Sequence, residues 1–342
     1  MKAAVVRSHG GFERIEFGEL SLPEPGPREV RVRVRAAGLN HLDTWVRRGV
    51  PGHEFPLPLV LGSDGAGVVD ALGPGARGVE IGDDVVILPG TSCGSCAACL
   101  EGEDQLCRSY RILGEARDGT CAEYVVLPDA NVRPKPPNVS FHEAASVPLV
   151  FQTAWSMLVR RAGVRPGDTV LVHAAGSGVG SAAIQIAHLF GARVAATAGT
   201  AEKCRHAESL GAELAIDYTE SDFVDRIRDW TGRRGVDVVV EHVGKATFAG
   251  SVRCLARGGR LVTCGATTGG DVSLSLHQVF FKNLSILGNT MGRKADLVRI
   301  LELVAAGRLK PVVDRVLPFA EIRDAHRLLE DRAVFGKIVL DV

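Results

Sequence analysis

Four cysteines lie close together in this 342-residue chain, and their spacing is the first sign of chemistry. Cys93, Cys96, Cys99 and Cys107 follow the pattern C-x2-C-x2-C-x7-C. Four thiolates complete the tetrahedral coordination of Zn²⁺ and leave no open position for a substrate, so the set predicts one structural zinc ion. A redox switch or an iron–sulfur cluster is the alternative. The other four cysteines are scattered, which argues against a disulfide framework.

A glycine-rich turn at residues 174–180, Ala-Ala-Gly-Ser-Gly-Val-Gly, is the second candidate site. An apolar run at 168–173 precedes the turn, and a helical pattern at 181–190 follows it. Glycines between a strand and a helix let the backbone approach a pyrophosphate, which the helix N-terminal amides bind. We therefore expect Gly178, Val179 and Gly180 to bind a dinucleotide, with a plain tight turn as the alternative.

The residue about 20 positions after this turn indicates which nicotinamide dinucleotide is bound, because NAD-specific folds place an acid there for the ribose 2′-hydroxyl. The position is Gly199, so no carboxylate repels a 2′-phosphate. Lys203 follows closely, and Tyr218 lies at the end of the next predicted strand; both could bind the phosphate. A solvated helix start is the alternative for Lys203. We expect NADP(H) rather than NAD(H).

Two kinds of scaffold must position these residues. Short β-branched runs between Gly/Pro turns fill the first part of the chain, and a helical segment at 141–161 follows. From residue 165 strands alternate with helices, which is typical of a parallel, doubly wound sheet. We predict an α/β protein with residues 1–150 and 290–342 in a β-rich catalytic domain and 151–289 in a Rossmann domain. Strands are predicted at 2–7, 29–36, 65–72, 83–88 and 123–127.

Charge and hydropathy exclude several function classes. Lys plus Arg equals Asp plus Glu, 40 of each, so no global field attracts nucleic acid or anionic lipid. No apolar stretch approaches the roughly 20 residues of a membrane span, and the first residues lack the pattern of a signal peptide. We expect a cytoplasmic protein with no nucleic-acid or membrane partner.

Taken together, these features resemble the medium-chain dehydrogenase/reductase superfamily over nearly the whole chain. The order of a GroES-like β domain, a cysteine lobe, a Rossmann domain and a return to the first domain is the same. The cysteine lobe is typical of the zinc alcohol dehydrogenase branch. The resemblance implies a homodimer or homotetramer, and a predicted edge strand near 284–287 would invite pairing with a second subunit.

The catalytic zinc ligands of that branch are missing from the aligned positions. Asn40 stands in place of the first cysteine, Ser63 in place of the histidine of Gly-His-Glu, and Leu149 in place of the late cysteine. The segment that begins at Asn40 resembles instead the quinone oxidoreductase branch, which has an Asn and an Asp at the positions of Asn40 and Asp43. That branch also has 2′-phosphate contacts at the positions of Lys203, Tyr218 and Arg332.

The resemblance implies hydride transfer from NADPH to a quinone or an α,β-unsaturated carbonyl. Alcohol oxidation lacks a Lewis acid here, whereas the oxyanion of a conjugated carbonyl needs only hydrogen-bond donors. We expect Asn40 to donate to the substrate carbonyl, Asp43 to orient Asn40, and Thr153 to contact the nicotinamide. The alternatives are an Asx turn for Asn40 and Asp43 and a helix-packing role for Thr153.

Three other interpretations stay open. The chain could be a zinc-type alcohol dehydrogenase, or an NADPH-binding sensor or structural protein without turnover. An unorthodox metal site is the third, although no familiar ligand spacing links its members. Those members would be His41, Asp43, His53, Glu54 and Asp64.

Overall fold

The computed structural model describes residues 1–342, which form two units. Unit 1 contains residues 1–149 and 293–342, and unit 2 contains residues 150–292. Every boundary predicted from the sequence lies within three residues of this division. No helix is both long and apolar enough to cross a membrane.

The first part of unit 1 is rich in short strands. Its strands are β1 (Lys2–Val6), β2 (Ile15–Glu19), β3 (Glu29–Gly38), β4 (Leu59–Val60), β5 (Asp64–Leu72), β6 (Asp84–Ile87), β7 (Gly90–Thr91), β8 (Arg111–Ile112), β9 (Tyr124–Pro128) and β10 (Val132–Pro134), and its helices are α1 (His41–Arg48), α2 (Ala97–Leu100) and α3 (Phe141–Ala145).

Unit 2 alternates strands with helices, and the chain then returns to unit 1. The elements from α4 onward are α4 (Pro148–Trp155), a π-helical segment (Ser156–Arg161), β11 (Thr169–Val172), α5 (Gly178–Leu189), β12 (Arg193–Ala198), α6 (Ala201–Ser209), β13 (Leu214–Asp217), α7 (Phe223–Trp230), β14 (Val236–Glu241), α8 (Phe248–Cys254), β15 (Leu255–Thr263), α9 (Leu276–Lys282), β16 (Ser285–Gly288), α10 (Lys294–Ala305), β17 (Val313–Pro318), α11 (Ile322–Glu330) and β18 (Lys337–Asp341).

The main sheet of unit 1 has the order β10-β6-β5-β3-β18-β17, with β9 also paired to β3. Strand β3 shows why the sequence folds this way, because buried Val30, Val32 and Val34 alternate with arginines that face outward. The C-terminal strand β18 pairs antiparallel with the end of β3. This pairing places the start of β18 beside the residues that follow β3, and both belong to the candidate site.

Unit 2 is built on a parallel sheet with the order β13-β12-β11-β14-β15-β16. Continuous apolar runs such as Thr169–Val172 are buried, as expected for strands covered on both faces. Between β11 and β14 the strand order reverses, which is where such sheets bind ligands at their carboxyl ends. Strand β16 lies at the edge, as the sequence predicted.

One local prediction was wrong, and several strands were missed. The helix expected over 141–161 is interrupted after Ala145, and α4 begins at Pro148. Proline suits the first turn of a helix because it has no N–H to satisfy, so it starts a new helix here. Strands β2 and β17 were not predicted, since their exposed positions hide the alternation of apolar and polar residues.

Candidate active site and metal site

The four cysteines of the lobe converge on one point. Their Sγ atoms all lie within 4.8 Å of one another. The separations are 3.9 Å for Cys93–Cys99, 3.6 Å for Cys96–Cys99 and 3.6 Å for Cys107–Cys93. Thiolates bound to zinc at about 2.3 Å in a tetrahedron are roughly 3.8 Å apart. The lobe therefore has the residues and the spacing to hold one zinc ion, and the bound zinc stays a prediction.

Backbone N–H groups and a nearby cation favour the thiolate form of the lobe cysteines, which is the form that binds a metal. The N–H of Cys96 donates to the Sγ of Cys93 at 3.4 Å, and N–H donors from Ser95 and Cys96 lower the pKa of Cys93 to about 6. The lobe is also tied to the start of α10, where the N–H of Lys294 donates to Asp104 at 3.1 Å. The Lys294 cation offsets part of the negative charge that four thiolates carry.

The glycine turn has the geometry expected of a phosphate-binding loop. A Cβ on Gly180 would lie 2.3 Å from the carbonyl oxygen of Ala174, so only glycine fits. Ser177 caps α5 and accepts the N–H of Gly180 at 2.9 Å. Gly178 and Val179 form the first turn of α5, where backbone N–H groups have no acceptor within the helix. The dinucleotide role of these residues stays a prediction.

The predicted 2′-phosphate residues of unit 2, Lys203 and Tyr218, follow the ends of β12 and β13. A Cβ on Gly199 would lie 2.6 Å from the hydroxyl oxygen of Tyr218, so an acidic side chain could not stand there unless Tyr218 moved. Lys203 is in the first turn of α6, capped by Thr200. Arg332 belongs to unit 1, where it is exposed and has a positive φ of 55°.

A buried polar cluster in unit 1 contains Asn40, Asp43, Asp64 and Lys337, and we call it the Asn40 cluster. Their exposed fractions are 6%, 0%, 0% and 3%. Lysine and aspartate are almost never this buried unless they are paired. The cluster joins the start of α1, the start of β5 and the start of β18.

Hydrogen bonds fix every member of the cluster. The Nζ of Lys337 lies 2.5 Å from the Oδ1 of Asn40 and 2.8 Å from the Oδ2 of Asp64. The Nδ2 of Asn40 donates to the same Asp64 oxygen at 3.0 Å. Asp43 accepts the backbone N–H of Asn40 at 2.7 Å and that of Gly62 at 3.0 Å. Asp43 therefore holds the backbone of Asn40 as the N3 residue of a capping box at the start of α1, the kind of local turn named as the alternative. Its orienting role toward a substrate stays a prediction.

Asp43 is the strongly perturbed acid of the cluster. Burial raises the pKa of Asp43 to about 6, although the backbone N–H donors and the Lys337 charge act in the opposite direction. A carboxyl that titrates near neutral pH in a buried site is typical of functional residues.

The positions that align with catalytic zinc ligands offer no ligand set. The side chain of Asn40 is committed to Lys337 and Asp64, and Leu149 is aliphatic. Ser63 is fully buried, and its hydroxyl has no hydrogen-bond partner in the described chain. The backbone N–H of Leu149 donates to the Oδ1 of Asp64 at 2.8 Å, so this position contributes its backbone and not its side chain.

The unorthodox metal site is not assembled. His53 is about half exposed and lies 3.8 Å from Glu115. Across the 342 described residues, the lobe cysteines are the one group of three or more His, Cys, Asp or Glu side chains placed to hold a common ion. Thr153 is 5% exposed within α4 of unit 2, and its contact with a nicotinamide stays a prediction.

Sequence reasoning missed Lys337. The available signal was a lysine at the start of an otherwise apolar final strand, Lys-Ile-Val-Leu, directly after a glycine. Gly336 has a φ of 97°, and a Cβ there would lie 2.4 Å from the carbonyl of Val312. This glycine sets the path of the chain into β18 and so the position of the lysine.

Comparison with known proteins agrees with this architecture. Residues 26–137 match the alcohol dehydrogenase GroES-like domain, and residues 178–306 match the zinc-binding dehydrogenase domain. Together these domains cover more than half of the chain. The chain therefore belongs to the zinc-type medium-chain dehydrogenase/reductase family, and it is an NAD(P)-dependent oxidoreductase.

Individual relatives carry the names of two activities. A solved structure of an NAD-dependent alcohol dehydrogenase is 57% identical, with a TM-score of 0.97 and full coverage of both chains. The NAD-dependent alcohol dehydrogenase of Sulfolobus acidocaldarius is 34% identical, again over 100% of both chains. The human quinone oxidoreductase is 28% identical over 99% of this chain and 97% of its own length.

Proposed function

We propose that this protein reduces a quinone or an α,β-unsaturated carbonyl with NADPH, without a catalytic zinc ion. The observation that carries the proposal is the Asn40 cluster. Where zinc-dependent relatives of this fold would need three metal ligands, the chain offers an amide, a serine hydroxyl and an aliphatic side chain. The positive charge of the cluster comes from Lys337, which lies 2.5 Å from Asn40 and 2.8 Å from Asp64.

The residues of this chain favour a conjugated acceptor over an alcohol. Alcohol oxidation needs an alkoxide, which a metal ion makes accessible, whereas an enone oxyanion is stabilised by hydrogen-bond donors alone. The Nδ2 of Asn40 has two N–H groups, of which one donates to Asp64. The other lies near the carbonyl of Gly38 at 3.5 Å, too long for a good hydrogen bond. We assign this second N–H to the substrate carbonyl.

Hydride and proton balance in this assignment. NADPH, when bound, supplies a hydride to the β-carbon of the enone, and a proton from solvent completes the saturated carbonyl product. The Asn40 amide binds the carbonyl oxygen as its negative charge develops, and Asp43 keeps the Asn40 backbone in place. Thr153 is proposed to contact the nicotinamide.

The cofactor preference rests on the residues at the ends of β12 and β13. Residue 199 is glycine, and a side chain there would meet the hydroxyl of Tyr218, so the chain has no carboxylate at the position that binds the ribose 2′-hydroxyl in NAD-specific folds. Lys203 and Tyr218 offer a cation and a hydroxyl to a 2′-phosphate, with Arg332 as a third contact implied by the family pattern. These features support NADP(H) over NAD(H).

The second candidate is an NAD-dependent alcohol dehydrogenase, which the names of two relatives favour. A kinetic comparison separates the two candidates: NADPH and NADH are each tested with a quinone, an alkenal and an enone, and NADP⁺ and NAD⁺ with primary and secondary alcohols. We expect NADPH-dependent reduction that survives a chelator. Alcohol oxidation with NAD⁺ that a chelator abolishes would refute the proposal.

The protein is also proposed to form a homodimer or homotetramer in the cytoplasm. Strand β16 is an unpaired edge of the unit 2 sheet. The neighbouring helix α9 leaves Leu276, Phe280 and Phe281 between 56% and 70% exposed, an apolar surface suited to a second copy. Sedimentation as a monomer at micromolar concentration would contradict this assembly.

A further inference from the structure

The ammonium group of Lys337 is the least expected feature of the Asn40 cluster. Its side chain is 3% exposed, and it enters from the last strand of the chain, nearly 300 residues after Asn40. Burying a cation is costly unless hydrogen bonds and an opposite charge compensate for it. Asp64 provides the opposite charge, but Lys337 also donates a hydrogen bond to the neutral amide of Asn40.

This hydrogen bond determines which way the Asn40 amide points. An ammonium can only donate, an ionised carboxylate can only accept, and an amide has one end of each kind. With Lys337 at 2.5 Å and Asp64 at 3.0 Å, only one orientation satisfies all three groups. The oxygen of Asn40 must face Lys337, and its NH₂ group must face Asp64.

We propose that Lys337 is a positioning residue that holds the Asn40 amide with its donor end available to substrate. The ammonium also polarises the amide through its oxygen, which strengthens the N–H groups as donors. Lys337 thus provides the fixed positive charge that a metal ion would provide elsewhere in this family. The inference rests on the proposed function, because that proposal assigns the substrate carbonyl to Asn40.

A purely structural ion pair between Lys337 and Asp64 is the competing explanation. Neutral variants separate the two, because replacing both members of a buried pair restores stability that a single replacement loses. Lys337→Met leaves Asp64 as an uncompensated buried charge. The double variant Asp64→Asn/Lys337→Met removes both charges, and because the amide introduced at position 64 can donate or accept, neither orientation of the Asn40 amide is then required.

The experiment measures kcat, KM, unfolding temperature and zinc content for these variants. Lys310→Met, at an exposed position, is the control for loss of a lysine charge. We expect Lys337→Met to lower kcat by about 30–100-fold, in the range of losing one aligned oxyanion donor or its support. The neutral double variant should regain the unfolding temperature but not kcat, and each protein should keep one zinc.

A double-mutant cycle then tests whether Lys337 acts through Asn40. Asn40→Ala combined with Lys337→Met should be no slower than Asn40→Ala alone, since residues acting as one unit are not additive. Recovery of kcat to within about 3-fold of wild type in the neutral double variant, or losses that multiply in the cycle, would overturn the proposal.

The cycle is run with whichever substrate the wild-type enzyme converts. Failure of the proposed function would appear as wild-type activity on alcohols alone, and the cycle would still report on Lys337. If the wild type converts none of the substrates tested, the kinetic cycle is replaced by an NMR measurement of the ¹⁵N side-chain amide signal of Asn40. We expect that signal to be shifted and slowly exchanging in wild type and lost in the neutral double variant. An unchanged signal would overturn the proposal.

Discussion

Two regions of unit 1 stand where zinc-dependent relatives would bind metal, and their chemistry differs. In the cysteine lobe, four Sγ atoms within 4.8 Å of one another form a complete ligand set. In the Asn40 cluster, the aligned positions hold Asn40, Ser63 and Leu149, and the cation is the ammonium of Lys337. One region needs an external ion to offset its four thiolates, whereas in the other the ammonium of Lys337 pairs with Asp64.

Under the proposed function, the zinc of the lobe would support the structure while the Asn40 cluster carries the chemistry. The lobe orders a loop, ties it to α10 through Asp104 and Lys294, and leaves no position for substrate. The Asn40 cluster has an ionisable acid, an oriented amide and a buried cation.

Removing one lobe ligand should have the largest effect. Cys107→Ser replaces a thiolate with a hydroxyl, a poor ligand, and we expect zinc content to fall from one ion per chain to near zero. Because structural zinc contributes on the order of 10 kcal/mol to small domains, the lobe should unfold and become sensitive to proteolysis. Metal analysis and limited proteolysis measure this. Cys204→Ser, a buried cysteine of unit 2, is the control and should keep its zinc.

Removing the amide of the Asn40 cluster should abolish most activity without touching the lobe. We expect Asn40→Ala to lower kcat by about 100–1,000-fold, the usual effect of losing one oxyanion donor. Zinc content and NADPH affinity should be unchanged. Asn138→Ala, which removes an amide bonded only to the carbonyl of Val304, is the matched control. A variant within threefold of wild type would remove Asn40 from the mechanism.

The raised pKa of Asp43 predicts how stability depends on pH. Since burial raises the folded-state pKa to about 6, above the ordinary value of 3.8, the protonated form favours folding. This contribution is complete below about pH 4 and is lost as pH rises through 6, an effect of about 3 kcal/mol. Denaturant unfolding of wild type between pH 4 and 7 measures it. Asp43→Asn should flatten this dependence; an equally steep curve in the variant would assign it to another group.

The smallest effect concerns the cofactor. Gly199→Asp would place a carboxylate against Tyr218 and near any 2′-phosphate. Like-charge repulsion should reduce kcat/KM for NADPH relative to NADH by about 10–100-fold. Gly199→Asn has similar size without the charge and should change the ratio much less. Equal ratios in the two variants would show that the phosphate binds elsewhere.

Local patterns predicted much of the fold. The alternating valines of β3 and the continuous apolar runs of unit 2 identified both sheets. The regular geometry of a strand decides which of its side chains are buried, so burial leaves a repeating pattern in the sequence. The cysteine spacing predicted the lobe because its four ligands lie within one short stretch of the chain. The contact between Lys337 and Asn40 could not be predicted from a local pattern, because strand pairing brings together two residues that are almost 300 positions apart. Strand β17, largely exposed, also gave no local signal.

Zinc stoichiometry measured on turning-over enzyme tests the central claim most directly. We predict one zinc per chain and an NADPH-dependent rate that chelator treatment leaves unchanged while that zinc remains bound. Two zinc ions per chain, with the rate falling as the second is removed and returning when zinc is added back, would contradict it.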